Sequence, residues 1–158
     1  PKSEVESKKD IMKISKYKCN SSNAWTERIG FEAGLETIKF MKKNNGTSKI
    51  INKGKKIING WKKISIKNGL NISINKFYSM PTFNFNYNKD NDRLSTLFTK
   101  YMLQKGYVAT NYMFVTYAHK DNEIKKYLNV CDLVFKKIKK DLTNKNKLKK
   151  ISPRKMIY

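Results

Sequence analysis

The sequence predicts an α+β domain in which a short antiparallel sheet of about three strands packs with helices. Three patterns predict it. Leu94, Leu97, Phe98, Tyr101 and Met102 recur at helical spacing, and Ile124, Tyr127, Leu128, Cys131, Val134, Phe135, Ile138 and Leu142 hold one helical face for about five turns. Leu70, Ile72 and Ile74 alternate with Asn71, Ser73 and Asn75; after the Ser79-Met80-Pro81 break, Phe83, Phe85 and Tyr87 alternate with Asn84 and Asn86. That is the period of two strands with one wet face each. Tyr112 to Ala118, a β-branched and aromatic run, is long enough for a third.

In chain order, residues 1–18 are polar, with a short candidate helix around Lys9 to Ser15 carrying Ile11, Met12 and Ile14. Ser21, Ser22 and Asn23 give a polar turn with helix-capping chemistry, and Ala24 to Met41 continue as a helix through Ile29, Ala33, Leu35 and Ile38. Such a turn is most simply a cap, although helix N-terminal N–H groups beside small hydroxyls also make an anion site. Asn44, Asn45 and Gly46 end this helix and Thr47 can cap the next, whose face of Ile50, Ile51, Ile57, Ile58, Trp61 and Ile64 runs to about Lys67, with Gly69 closing it. Gly106 stops the following helix at about Lys105, and Asp121 stands where the last one needs a side-chain acceptor. Beyond Leu142 a lysine and asparagine run without apolar periodicity, then ISPRKMIY, reads as a solvated tail.

The 158 residues suit one domain of ordinary size, and 39% hydrophobic with 12% aromatic residues excludes wholesale disorder. No apolar run approaches the roughly 20 residues of a membrane span, and no signal-peptide pattern opens the chain. The expected setting is the cytoplasm, without membrane attachment. Pro1 in place of an initiator Met points to a piece of something longer. The net charge of +23 raises nucleic-acid binding, but the cations are nearly all lysine, with only Arg28, Arg93 and Arg154 offering the guanidinium fork suited to phosphate and base edges. Lysine is spread along every segment beside asparagine and isoleucine, as when an A/T-rich coding sequence fills exposed positions. A basic nucleic-acid-binding module is therefore the alternative reading, and a degenerate paralogue retained for interaction is a third.

Two cysteines far apart in sequence suggest neither a disulfide framework nor a metal spacing, and no P-loop, dinucleotide fingerprint or nucleophile elbow occurs. His119, the lone histidine, has no identifiable nucleophile partner and reads as a structural hydrogen-bonder. No catalytic and no metal-ligating residue is assigned.

Two stretches carry a resemblance. KGYVATNYMFVTYAHKDNEIKKYL, in which a glycine ends a helix and a strand closes on Ala-His before an acidic helix start, resembles the C-terminal end of class III pyridoxal-phosphate aminotransferases, most nearly the glutamate-1-semialdehyde aminomutase-like branch. KKDIMKISKYKCNSSNAWTERIGFEAGLETIKFM is similar to the segment that follows the cofactor lysine in that branch. The likeness covers about residues 8–142. It implies the small C-terminal domain of a fold-type-I enzyme with a leading interface helix: residues 1–23 the remnant of the large-domain segment, 24–142 the interface helix and small domain, and 143–158 a basic tail. It further implies a homodimer through Ser22 to Met41, in which this turn reaches the phosphate of the neighbouring subunit's pyridoxal 5'-phosphate. Ser22 falls beside the contact position and Asn23 occupies it, keeping a hydrogen-bonding side chain but losing the family's hydroxyl. Thr26, Glu27 and Arg28 match the family pattern and order the turn.

Counting back from His119, the resemblance puts Asn111 in the place of an acidic residue that faces substrate in the aminomutase; the alternative reading is that Asn111 is simply a turn residue. A neutral amide there favours a related transaminase, handling a small amino-group donor or acceptor, over the aminomutase reaction. In the family the cofactor lysine and the Asp on the pyridinium nitrogen lie upstream of both matches, so the resemblance implies a chain that closes an active site and is catalytically incomplete alone.

Overall fold

The computed structural model describes residues 28–144, 148 and 151–152. The chain divides into two compact units, residues 1–44 and 45–158. The candidate helix at Lys9 to Ser15 and the turn at Ser22 and Asn23 lie outside the described residues.

In the first unit, α1 spans Arg28–Lys43. Phe31, Leu35 and Ile38 share a stripe at i, i+4 and i+7, yet no residue of the helix is buried. Two surface pairs, Arg28 with Glu32 at 3.3 Å and Lys39 with Glu36 at 2.7 Å, contribute little in water. Asn44 ends the helix by directing both its backbone N–H and its side-chain amide at the Phe40 carbonyl, at 3.1 and 2.9 Å.

The second unit starts with α2, Gly46–Lys67. Thr47 is not its cap: Asn45, in the left-handed conformation with φ 50°, occupies that position and makes no side-chain capping bond. Ile57, Ile58 and Trp61 are buried, with Ile50, Ile51 and Ile64 half-buried beside them. Gly69, at φ 61°, lets its own N–H reach Ile66 O and the Leu70 N–H reach Ser65 O at 2.9 Å. This pair of bonds satisfies the last carbonyls and turns Leu70 into the core. The same device closes α3, Asn91–Leu103, where Gly106 at φ 81° permits the bonds Gly106 N–H to Leu103 O and Tyr107 N–H to Met102 O. All five apolar positions foreseen on α3 are buried.

Strands β1, Ile72–Asn75, and β2, Thr82–Phe85, pair antiparallel with Ile72 opposite Phe85 and Ile74 opposite Phe83, which turns all four side chains to the helices. The expected third strand at Tyr112 to Ala118 is instead an extended segment with one bridge, Tyr112 to Thr82. It lies along β2 through Phe83 N–H to Asn111 O, Met113 N–H to Pro81 O and Val115 N–H to Ser79 O, at 2.8–3.1 Å. Pairing stops because the chain turns at Tyr117 and Ala118, the next residues whose amides could face the strand; the Thr116 N–H, on the opposite side of the segment, is taken by His119 Nδ1 at 3.0 Å and holds that turn.

The last helix, α4, spans Asp121–Thr143. Its N-cap is Lys120 and not Asp121: the Glu123 carboxylate reaches back to accept the Lys120 N–H at 2.8 Å, while the Asp121 carboxylate faces Lys56. The buried face of α4 packs on α2 and α3. Leu148, in the stretch expected to be a solvated tail, is buried in the same core, and Ile151 packs against it. At the centre lies Phe83, in edge-on contact with Trp61, Phe85, Phe98 and Phe135 at centroid distances of 4.9–5.6 Å.

Two glycines of α2 separate packing against rigid and yielding neighbours. A Cβ on Gly54 would stand 2.0 Å from the Tyr78 carbonyl oxygen, whereas on Gly60 it would meet the tip of the Leu128 side chain at 2.5 Å. Gly54→Ala is expected to destabilise the fold at the upper end of ~1–3 kcal/mol, because backbone must move. Gly60→Ala is expected to fall within about 1 kcal/mol of wild type, since Leu128 can change rotamer and alanine is the better helix former by ~1 kcal/mol. Urea midpoints of the two variants check the contrast.

Candidate functional site

The outward face of the sheet holds at its edge Asn111, one of the three site residues read from the sequence and the one among the described residues. Strand alternation turns Ser73 and Asn75 of β1 and Thr82 and Asn84 of β2 away from the helices, and Asn71 and Asn86, just beyond the strand ends, continue this face. On the third segment Tyr112 and Phe114 are exposed, their rings edge-on at 5.6 Å, while Met113 and Val115 turn inward. None of these outward residues is charged, in a chain whose residues are 30% charged.

The amides are ordered among themselves. Asn86 Nδ2 donates to Asn71 Oδ1 and Ser73 Oγ to Asn86 Oδ1, both at 3.3 Å. Asn111 sits at the edge of this face, half-buried, its Nδ2 donating to the Phe83 carbonyl at 3.0 Å and to Asn84 Oδ1 at 3.2 Å. Thr110 Oγ1 donates to its Oδ1 at 3.1 Å. Both ends of the Asn111 amide are therefore fixed, and it presents a neutral polar group. Ser22 and Asn23, the other two site residues read from the sequence, lie outside the described residues.

His119 is a turn-former: its Nδ1 accepts the Thr116 N–H, which leaves the ring proton on Nε2. The remaining unusual groups are buried on the helix side. The Tyr101 hydroxyl donates to the buried carboxylate of Asp141, and burial, followed by that bond and the carboxylate's charge, raises its pKa above 10.0. Cys131, fully buried beside Trp61 and Tyr127, has its thiol pushed up from 9.0 to about 12, chiefly by burial, which makes it a poor nucleophile. Tyr127 is raised well above 10.0 for the same reason.

Among the described residues no group of His, Cys, Asp and Glu could hold a metal ion, and no helix is long and apolar enough to cross a membrane. No described lysine is buried. The uncharged face escaped a reading by elements; its one signal was Asn, Ser and Thr, with no Lys, at the outward positions of both alternating runs.

No family model matches the chain. It is 25% identical over 122 residues to a glutamate-1-semialdehyde 2,1-aminomutase of Natranaerobius thermophilus, which aligns 69% of this chain with 28% of that protein. Its fold matches the structure of the PLP internal aldimine form of the FumI protein of Sphingopyxis sp. MTA144 with a TM-score of 0.70 at 18% sequence identity, covering 92% of this chain and 34% of that one. The chain thus spans about a third or less of the length of either. At that identity the second likeness is one of fold, and it agrees with the α+β architecture read from the sequence.

Proposed function

We propose, on the premise that this chain is related to the class III pyridoxal-phosphate enzymes of the glutamate-1-semialdehyde aminomutase-like branch and folds as their small C-terminal domain, that it serves as the part that closes over the cofactor domain in an intact aminotransferase. The observation that carries this reading is the uncharged sheet face. Lys, Glu and Asp are depleted where a surface is covered by another body, and this face lacks them while lysines populate the exposed helix surfaces. Asn111 stands at the edge of that face as a fixed, neutral group whose N–H donors are spent on Phe83 O and Asn84 Oδ1, so what it would offer a substrate is the remaining lone pair of Oδ1. A substrate group meeting it is oriented by an amide instead of an ionised carboxylate, which favours a transaminase over the aminomutase reaction.

Pyridoxal 5'-phosphate would supply the electron sink for amino-group transfer. The described residues do not hold its reactive end, since none is a buried lysine beside an acid. Toward its phosphate this chain contributes Ser22 and Asn23 to the neighbouring subunit, in a homodimer formed through Ser22 to Met41. The exposed stripe of Phe31, Leu35 and Ile38 on α1, half or more of each side chain in water, supports that pairing. In this reading residues 1–23 continue the large domain, 24–142 form the interface helix and small domain, and 143–158 are a basic tail. The chain alone does not transaminate.

Joining this chain to a complete large domain and introducing Asn84→Glu tests the reading. Asn84 is exposed, so the small domain by itself is expected to keep its urea midpoint, while turnover of the joined enzyme falls at least about tenfold, as ~1.4 kcal/mol of lost closure would give. Unchanged turnover would show that the sheet face does not meet the cofactor domain.

A further inference from the structure

Helices α2 and α4 run side by side in the same direction and leave an open groove of about 460 Å³ between them, within the ~300–1,000 Å³ of ordinary binding clefts. Its floor is apolar: Ile64, Ile124 and Leu128. Its rim carries Lys56, Lys63, Lys67 and Lys125 with two acids, Asp121 and Asp132. Both acids are already matched, Asp121 to Lys56 at 2.7 Å and Asp132 to Lys67 at 2.5 Å. Those bonds hold both carboxyls below the usual range. Lys63 and Lys125, one on each wall, have no acidic partner among the described residues.

Apolar floor and uncommitted cations together select the occupant. A nucleic-acid backbone would satisfy the lysines and leave Ile64 and Leu128 against phosphate, whereas a helix with an apolar stripe flanked by carboxylates satisfies both. We propose that this groove docks an acidic amphipathic helix of a protein partner, its apolar side chains on Ile64 and Leu128 and its carboxylates at Lys63 and Lys125. The site lies on the helix layer, away from the sheet face, and does not depend on the enzymatic reading.

A labelled helical peptide of leucine and glutamate, titrated against the chain by fluorescence anisotropy, tests it. Binding is expected, weakened at least about tenfold by the double change Lys63→Glu and Lys125→Glu. It is expected to stay within about twofold of wild type for Lys89→Glu with Lys105→Glu, which alters net charge equally outside the groove. All four lysines are exposed, so each double variant keeps its fold, checked by circular dichroism. Absence of binding, equal loss in both double variants, equal affinity for a peptide with serine in place of leucine, or tighter groove-dependent binding of duplex DNA would each overturn the proposal.

Discussion

Phe83→Ala is expected to remove a large part of the stability of the unit formed by residues 45–158. The ring is fully buried and touches four other aromatic rings, contributed by α2, β2, α3 and α4, so its loss opens a cavity that no single element can move to fill. Phe→Ala changes in such sites destabilise by ~3–5 kcal/mol, against a total of ~5–15 kcal/mol for a domain. Phe83→Leu, which keeps most of the volume, is expected to lose no more than ~1.5 kcal/mol. Urea unfolding followed through the fluorescence of Trp61, itself edge-on to Phe83, measures both. A loss below about 1 kcal/mol for the alanine variant would mean that the surrounding rings collapse onto the gap and that Phe83 is not central.

Raising the pH is expected to unfold the same core from within. Cys131 has a folded-state pKa raised from 9.0 to about 12, so in the native state the thiol keeps its proton while in the unfolded chain it ionises above pH 9. The unfolded state then binds fewer protons, and stability falls with pH by up to ~1.4 kcal/mol per unit for one group. Its contribution is complete below pH 9 and is lost as the pH approaches 12. Tyr101 and Tyr127, both raised above 10.0, add their slopes from pH 10 upward. Stability from urea titrations is therefore expected to be level up to pH 9 and to decline with increasing steepness above it. Cys131→Ala should abolish the decline between pH 9 and 10, whatever its effect at pH 8. A level curve to pH 11 would contradict the assigned burial of these three groups.

Much of the fold was legible because burial on one face imposes a period. The stripe from Leu94 to Met102 and that from Ile124 to Ile138 could be read at 3.6 residues per turn, and the inward Ile72, Ile74, Phe83 and Phe85 at two. Gly69 and Gly106 could be read because left-handed helix ends admit little else. The third strand was over-read: the letters of Tyr112 to Ala118 suit a strand, but a turn at Tyr117 and Ala118, held by His119 on the Thr116 N–H, ends it after a few bonds, and nothing in the alternation of those letters marks that turn. Asp121 is a good cap by type, yet the reciprocal bond between Glu123 and Lys120 moved the boundary by one residue. Leu148 stood alone in a lysine run, with no periodicity to mark it as core. Of the candidate site, Asn111 entered only by counting back from His119 along a resemblance; the separate α2–α4 groove joins residues more than fifty positions apart and leaves no pattern in either helix alone.

The way the third sheet segment is attached bears on how this domain can diversify. β1 and β2 are joined through residues 76–81 and can zip locally, but the segment at 111–115 closes a loop that includes all of α3. Its backbone is held by three bonds to the stretch from Ser79 to Phe83 and by Lys53 Nζ donating to Tyr117 O at 2.5 Å, and of its outward side chains Asn111 is tied to the sheet while Tyr112 and Phe114 are exposed. Such a segment is expected to dock after the hairpin and to open at a lower free energy than the core, which amide hydrogen exchange at Met113 and Val115 would read. Tyr112 and Phe114, the exposed positions of this stretch, are thus where substitutions on the sheet are expected to cost the least stability, so the outward face can be revised while Asn111 and Phe83 stay fixed.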